Sequence, residues 1–308
     1  TGASASVFVN PAGASRLIVL APGELVQEGN TATGGKLASA IPNPVTAGAS
    51  IMITVKSADA FYNLASSNTL VSLTPVDPAA PASSFNDPYS TAPASMNLVG
   101  GQATFSVIPV MGESKLTKWV SSGTYFPAAA SGAVAVSPSG VVKLQILLPG
   151  ETAAPGRPHY NVGISSGGKT GAPAQQTAGT PASIVVRAVD NFWNRTAAAP
   201  SVLVFSTGAF DAPNPKSFTL TAGSATATWT FVTASTGGYS LWATDQASAL
   251  TVSTSPAVVV GPAAADRLQV LLPGETAAPG KIAAPAGKTG TPAVWFAGQT
   301  QQITVNAV

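Results

Sequence analysis

The sequence predicts an all-β chain built of tandem β-sandwiches, and three features predict it. Short segments alternate apolar and polar residues, among them SIVVRAV (183–189), SVLVFST (201–207), SATATWTFV (224–232) and YSLWATD (239–245). That two-residue period is the mark of a strand with one buried face. The chain's 30 glycines and 26 prolines punctuate these segments, and no stretch sustains the 3.6-residue period of an amphipathic helix. The third feature is repetition: RLIVLAPGE (16–24), KLQILLPGE (143–151) and RLQVLLPGE (267–275) are copies of one segment.

The copies fix a register. Leu17, Leu144 and Leu268 are equivalent. Upstream of them VFVNP (7–11), VAVSP (134–138) and VVVGP (258–262) recur at the same offsets. Downstream come IMITVKSADAFYN (51–63), ASIVVRAVDNFWN (182–194) and QQITVNAV (301–308). Residues 1–14 therefore read as the last strand of one repeat, 15–138 and 139–262 as two complete repeats, and 263–308 as the first part of another. Both ends fall inside a repeat. The expectation is a window on a longer repetitive chain; the alternative is that other copies complete the half units by strand addition.

Within the second repeat, strands are expected near 142–148, 182–189, 201–206, 216–221, 224–232, 238–244 and 256–260. Seven strands in a unit of this size fit an immunoglobulin-like sandwich. Each repeat departs from the minimal unit by a long Pro/Gly-rich excursion after its first strand. In the second repeat this is PGETAAPGRPHYNVGISSGGKTGAPAQQTAGTP (149–181), read as an irregular surface loop or a strand crossing between sheets.

Composition narrows the functions available. Of 308 residues 45% are hydrophobic, yet 14 basic and 12 acidic residues make only 8% charged, against about 25% in an average globular protein. A net charge of +2 with no Lys/Arg cluster makes no field for nucleic acid. No apolar window reaches the ~20 residues of a membrane-spanning helix. The absence of cysteine excludes disulfides, thiolate metal sites and a cysteine nucleophile. Charged residues normally guard sheet edges against strand-to-strand association, so so little charge suits assembly.

One segment mimics a nucleotide site. Residues 163–170, GISSGGKT, satisfy the phosphate-loop pattern G-x-x-x-x-G-K-T through Gly163, Gly168, Lys169 and Thr170. That loop works only between a buried strand and a helix whose N-terminus faces the phosphates. Here APGRPHYNV precedes it, and Pro173 and Pro181 obstruct a following helix. The other copies read NTATGGKLAS (30–39) and AAPAGKTGTP (283–292), so what recurs is Gly-Lys, serving a turn. No nucleotide is expected to bind, and Lys169→Ala is expected to leave thermal stability unchanged.

The remaining candidates read as structural. Asp59, Phe61 and Asn63, and again Asp190, Phe192 and Asn194, form a D-x-F-aromatic-N motif after the second strand. Asp and Asn bond back to a turn while the aromatics pack beneath it. One Asp and one Asn supply too few oxygens for calcium. His159 is the only histidine, so at most one Ser-His-Asp triad could exist, and it falls in the irregular loop. Glu24, Glu151 and Glu275 follow the Pro-Gly turns singly, without the second carboxylate that glycoside hydrolysis needs. Trp193, Trp229, Phe231, Tyr239 and Trp242 could form a sugar platform, but most read as core; Tyr239 is a candidate tyrosine corner. The sequon Asn194-Arg195-Thr196 coincides with the turn motif and is read as incidental.

A strand ending in AVD-x-F/W-x-N, Pro-led strands after it, and a G-x-A-T-x-T/S strand resemble bacterial Ig-like repeat domains of invasin- and intimin-like adhesins and other large surface proteins. The resemblance implies extracellular placement on the bacterial surface, with the domains serving as stalks, spacers or fibre subunits. It carries no catalytic residue and no cofactor. The partners it implies are neighbouring repeats or other copies of the chain. The alternatives are an adhesin or carbohydrate-binding module, with surface glycans or a receptor as partner, and an accessory region of a larger secreted enzyme.

Overall fold

The computed structural model describes residues 2, 5–76, 87–91, 95–113, 115–160 and 167–308, the side chain of Lys115 aside. The described residues are almost entirely strand and turn, with a single 3-10 turn at Thr31–Thr33. The chain divides into two compact units, residues 1–139 with 155–158, and residues 140–154 with 159–308.

The first unit carries β1 (Arg16–Leu20), β2 (Val45–Thr46), β3 (Ile51–Ala58), β4 (Leu70–Val76), β5 (Met96–Asn97), β6 (Gln102–Val107), β7 (Lys115–Gly123), β8 (Phe126–Ala130) and β9 (Val134–Ser137). One sheet has the order β1-β3-β6; the other runs β2-β9-β7-β4-β5, with β8 alongside β7. The alternation of β6, QATFSV, places Ala103, Phe105 and Val107 inward and Gln102, Thr104 and Ser106 outward. Leu17, Val19, Ile53, Val55 and Phe105 of the first sheet meet Val71, Leu73, Trp119 and Val134 of the second in one core. This is sheet-on-sheet packing, each layer burying the face that its two-residue period makes apolar.

The second unit begins with β10 (Lys143–Leu147), β11 (Glu151–Ala153), β12 (Lys169–Gly171), β13 (Gln176–Thr177), β14 (Pro181–Val189), β15 (Ser201–Ser206), β16 (Lys216–Thr219) and β17 (Ser224–Thr230). β18 (Ser235–Tyr239), β19 (Leu241–Asp245), β20 (Ser253–Thr254) and β21 (Val258–Gly261) complete its sandwich. The sheet β10-β14-β17 repeats β1-β3-β6, and opposite it lie β16-β15-β19-β20 and β13-β21-β18. Leu144, Ile146, Ile184, Val186, Val204, Trp229, Phe231, Leu241 and Val260 share its core. Beyond follow β22 (Leu268–Leu271), β23 (Glu275–Ala277), β24 (Lys288–Gly290) and β25 (Thr304–Ala307), paired β22-β25 and β23-β24.

The single strand expected at 238–244 is two. β18 pairs with β21, β19 pairs with β15, and the chain changes sheets at Ser240. The cause is Gly237-Gly238: Gly238 has φ +75°, and the ladder of β18 loses register between Ser235 and Tyr239.

The excursion does two things. β11 and β12 form a short hairpin, and β13 then crosses to lie parallel to β21 in the opposite sheet. The stretch also covers the outer face of the first strand. All five residues of β10, KLQIL, are buried, although only Leu144 and Ile146 point into the sandwich core. In the first repeat Ile18 and Leu20 on the outer face of β1 join Ala58, Val26, Tyr62 and Leu64 in a second small core.

Candidate functional site

The residues that recur with chemistry in them converge on this covered strand. In the turn after β10 the Glu151 N–H donates to the Leu148 carbonyl (3.0 Å), and the Glu151 carboxylate accepts from the Leu148 N–H (2.9 Å). The Lys169 ammonium, contributed by β12, lies 2.8 Å from the same carboxylate and donates to the Ile146 carbonyl at 3.1 Å. Both side chains are buried, at 5% and 1% exposure. The other copies repeat the arrangement. Lys36 lies 3.0 Å from Glu24, which accepts from the Ala21 N–H. Lys288 lies 2.8 Å from Glu275, which accepts from the Leu272 N–H. Burial lowers the affinity of Lys36 and Lys169 for a proton, while the partner carboxylate opposes that shift. Glu275 is held below the ordinary carboxylate range, first by the Leu272 N–H and then by Lys288.

The Gly-Lys dipeptide is thus explained without a phosphate. Gly168 has φ +62°, and a Cβ there would come within 2.1 Å of Trp193 Cγ. Its carbonyl accepts from the Gln145 side chain at 2.8 Å, as Gly287 accepts from Gln269 at 2.6 Å. Thr170 lies in β12 and starts no helix; Gly163 is outside the described residues. The expectation that Lys169→Ala leaves stability unchanged is overturned, because Lys169 is the buried counter-charge of Glu151.

The D-x-F-aromatic-N turn abuts the same place. One Asp190 oxygen accepts from the N–H groups of Phe192 (2.8 Å) and Asn194 (2.9 Å), and the other from the Asn194 side-chain amide (2.9 Å). Asp59 does likewise with Phe61, Asn63 and the Asn63 amide, and also accepts from the Ala12 N–H. The bonds from Asn63, foremost its side-chain amide, hold Asp59 down at about 2. The turn throws Tyr62 (φ 64°) and Trp193 (φ 68°) into the left-handed region, where side chains other than glycine are uncommon. Over these rings sit the cations that open β1 and β10: Arg16 is 5.4 Å from the Tyr62 centroid, and Lys143 is 3.7 Å from that of Trp193. Arg16 also donates to the Ala60 carbonyl, and Lys143 to those of Asn191 and Tyr160. Burial brings Lys143 down to about 8 against the pull of Asp190.

The other sequence candidates fall apart in space. Phe61 does not pack beneath its turn; it is 64% exposed, while Phe192 meets Tyr160 edge to face at 5.0 Å. His159 is exposed, and its carbonyl accepts from the Trp193 indole. Asn194 is fully buried, and its side-chain amide is held by Asp190. Tyr239 stacks on Phe231 at 6.2 Å. Trp193, Trp229 and Phe231 are buried. Among the described residues no three His, Cys, Asp or Glu side chains gather as a metal site. No helix there is long and apolar enough to cross a membrane. The Glu–Lys pair is the feature that reading single motifs missed. Its signal was present: two residues of opposite charge each recurred once per repeat, in the same order, inside the excursion.

Removing Lys169 leaves a buried carboxylate without its partner. Lys169→Met is expected to lower stability by ~3–5 kcal/mol in chemical denaturation, with no response of the wild-type melting temperature to Mg-ATP. Glu151→Gln combined with Lys169→Met should cost less than the two changes added separately. For Asp59 the depressed value sets the sign: its stabilisation is complete above the ordinary 3.8 and is lost as pH falls through about 2. The stability difference between wild type and Asp59→Asn should therefore close across that window in acid titrations followed by circular dichroism.

No protein-family model matches the chain, and no curated protein matches its sequence. Solved structures give matches of low identity and low TM-score. The D0-D1 domain of intimin matches at 15% identity and TM-score 0.25, over 70% of this chain and 92% of that one. FdeC, an Escherichia coli adhesin, matches at 14% identity and TM-score 0.29, over 81% of this chain and 66% of that one. Trypsin-activated alpha-2-macroglobulin from Escherichia coli matches at 14% identity and TM-score 0.33, over 97% of this chain and 22% of that one. All three TM-scores lie below 0.5, so neither family nor role passes from any of them to this chain.

Proposed function

We propose that the chain is a non-enzymatic structural component of an extracellular fibre, stalk or cell-surface layer built from tandem immunoglobulin-like repeats. The observation that carries this reading is where the recurring polar residues go. Glu151 and Lys169 neutralise each other, Asp190 and Asn194 close a turn, and Lys143 holds backbone carbonyls, all of them buried. A reacting group has to be reachable by substrate, and these are enclosed by their own partners. Repeats of this kind set distance and stiffness between whatever they join.

One observation favours the adhesin reading as a second. Phe205 of β15 and Trp242 of β19 stack on the outer face of the second sandwich, 5.2 Å apart and 4° from parallel. At the corresponding pair in the first sandwich stand Thr74 and Val120, so the fold does not require rings there.

Immunogold electron microscopy of the producing cells separates the readings. Label on surface filaments, rods or a regular layer is the expected result, and label confined to the cytosol would overturn it. Glycan-array binding that disappears in Trp242→Ala would favour the adhesin instead.

A further inference from the structure

The two sandwiches treat the free edge of their first strand differently. Ser57 of β3 donates to the Gly101 carbonyl, on the β6 side. Leu17 and Val19 stand opposite Ser57 and Val55, so their N–H and C=O groups turn away from β3. In the second sandwich the equivalent N–H groups, of Leu144 and Ile146, donate to the Thr251 carbonyl and the Ser253 hydroxyl. Ser131 and Ser255 align the two units. Each hydroxyl accepts from the N–H of a buried strand residue, Trp119 or Leu241, and donates to the next carbonyl. Counted back from them, Pro127 and Ala129 hold the places of Thr251 and Ser253. Proline has no N–H to return a bond, and alanine has no hydroxyl. Among the described residues no ladder joins β1 to β8.

A cleft of about 520 Å³ opens along this edge, between residues 17–19 and 128–133, with Tyr62, Lys36 and Lys118 in its wall. That volume is in the range of small-molecule sites. Its charges do not cancel. Lys36 is committed to the Glu24 carboxylate and the Ala130 carbonyl. Lys118 is half-buried and has neither hydrogen bond nor ion pair among the described residues. The Tyr62 hydroxyl has no hydrogen bond there either, and it adjoins Gly34 in the same wall: a Cβ on Gly34 would lie 3.7 Å from it. Burial does most to weaken the hold of Lys36 on its proton, and the Lys118 charge adds to that effect. The two ammonium groups therefore repel each other across the cleft. Ser240 stands in the second sandwich where Lys118 stands in the first, one residue before Leu241, so the fold does not require the charge.

We propose that the cleft between β1 and β8 binds a small hydroxylated carboxylate, of the sugar-acid class, with its carboxylate against Lys118 and its hydroxyls against Tyr62 and the free edge of β1. The charge is single because Glu24 already balances Lys36, which leaves one ammonium to be met. A carboxylate there would form a charge-assisted hydrogen bond with Lys118 and relieve its repulsion of Lys36. The remaining groups ask for hydroxyls. A strand edge offers N–H and C=O side by side, and a phenol both donates and accepts, so each suits a group that does both. The apolar floor of Leu17, Ile18 and Val19 suits the carbon face of a sugar ring. The site lies wholly within the first sandwich and is independent of the stacked Phe205–Trp242 pair of the second.

Titration calorimetry of the 308-residue chain with glucuronate and galacturonate tests this, with glucose and acetate as the neutral sugar and the bare carboxylate. At least one of the two sugar acids is expected to bind saturably, and more tightly than glucose or acetate. Lys118→Met should weaken that binding roughly tenfold or more, and Tyr62→Phe about fivefold. Lys118→Met should keep the wild-type melting temperature, since the side chain has no partner to lose. Lys56→Met is the control for lost charge in the same sandwich; Lys56 is engaged by Gln102 instead, and its loss should leave binding unchanged. Absence of saturable binding by both sugar acids overturns the proposal. So does binding undiminished in Lys118→Met, an equal loss in Lys56→Met, or glucose or acetate binding as tightly as the sugar acids.

Discussion

Everything distinctive in this fold depends on burying β1 and β10, the first strands of the two complete repeats, on both faces. A strand in a two-layer sandwich has one face in the core and one in water, and a charged residue facing water costs nothing. In β10 the outer residues Lys143, Gln145 and Leu147 are enclosed instead. The excursion that encloses them must bring its own acceptors and be held in place. The Glu151–Lys169 pair meets the second demand, joining the turn at the end of β10 to the far arm of the hairpin. A buried ion pair is not in itself strongly stabilising, since desolvation offsets much of its attraction. Its value here is positional, because the same ammonium also holds the Ile146 carbonyl and the same carboxylate the Leu148 N–H.

The architecture was legible in the sequence because a two-residue period survives any detail of packing. QATFSV and SVLVFS bury alternate residues as written. The turn motif was legible as a turn because Asp and Asn act on backbone only two to four residues away. What was not legible was anything requiring knowledge of what the excursion touches. Gly168 reads in sequence as phosphate-loop flexibility, and in space as room for Trp193, a residue 25 positions further on. Lys169 reads as part of a Gly-Lys turn, because nothing local announces that Glu151 will lie opposite it. The break at Ser240 was hidden for a similar reason. Alternation runs through 238–244 unbroken, and only Gly238 at positive φ shows where one sheet is exchanged for the other.

The placement of charge sharpens what the composition implied. The chain is already poor in charged residues, and Asp59, Asp87, Lys143, Lys169, Arg187, Asp190, Asp211 and Asp245 are buried. Asp87 and Asp211 are further examples of inward use: one accepts from the N–H groups of Val110 and Met111, the other from that of Val232. The surface is left largely to Ser, Thr, Ala and Gln, with little long-range repulsion between copies. Such a surface suits close approach more than electrostatic steering.

The two covers differ in chemistry, and that difference bears on how a tandem chain folds correctly. Beneath the first cover the strand offers Ile18 and Leu20 to Val26, Tyr62 and Leu64. Beneath the second it offers Lys143 and Gln145 to the carbonyls of Tyr160, Asn191 and Gly168. Laid on the wrong strand, the apolar cover would strand Gln145 without its acceptor, at a cost of about 1–3 kcal/mol for such a buried polar group. Adjacent similar domains are prone to exchange segments while folding. The mismatched linings make each cover fit its own strand better than its neighbour's.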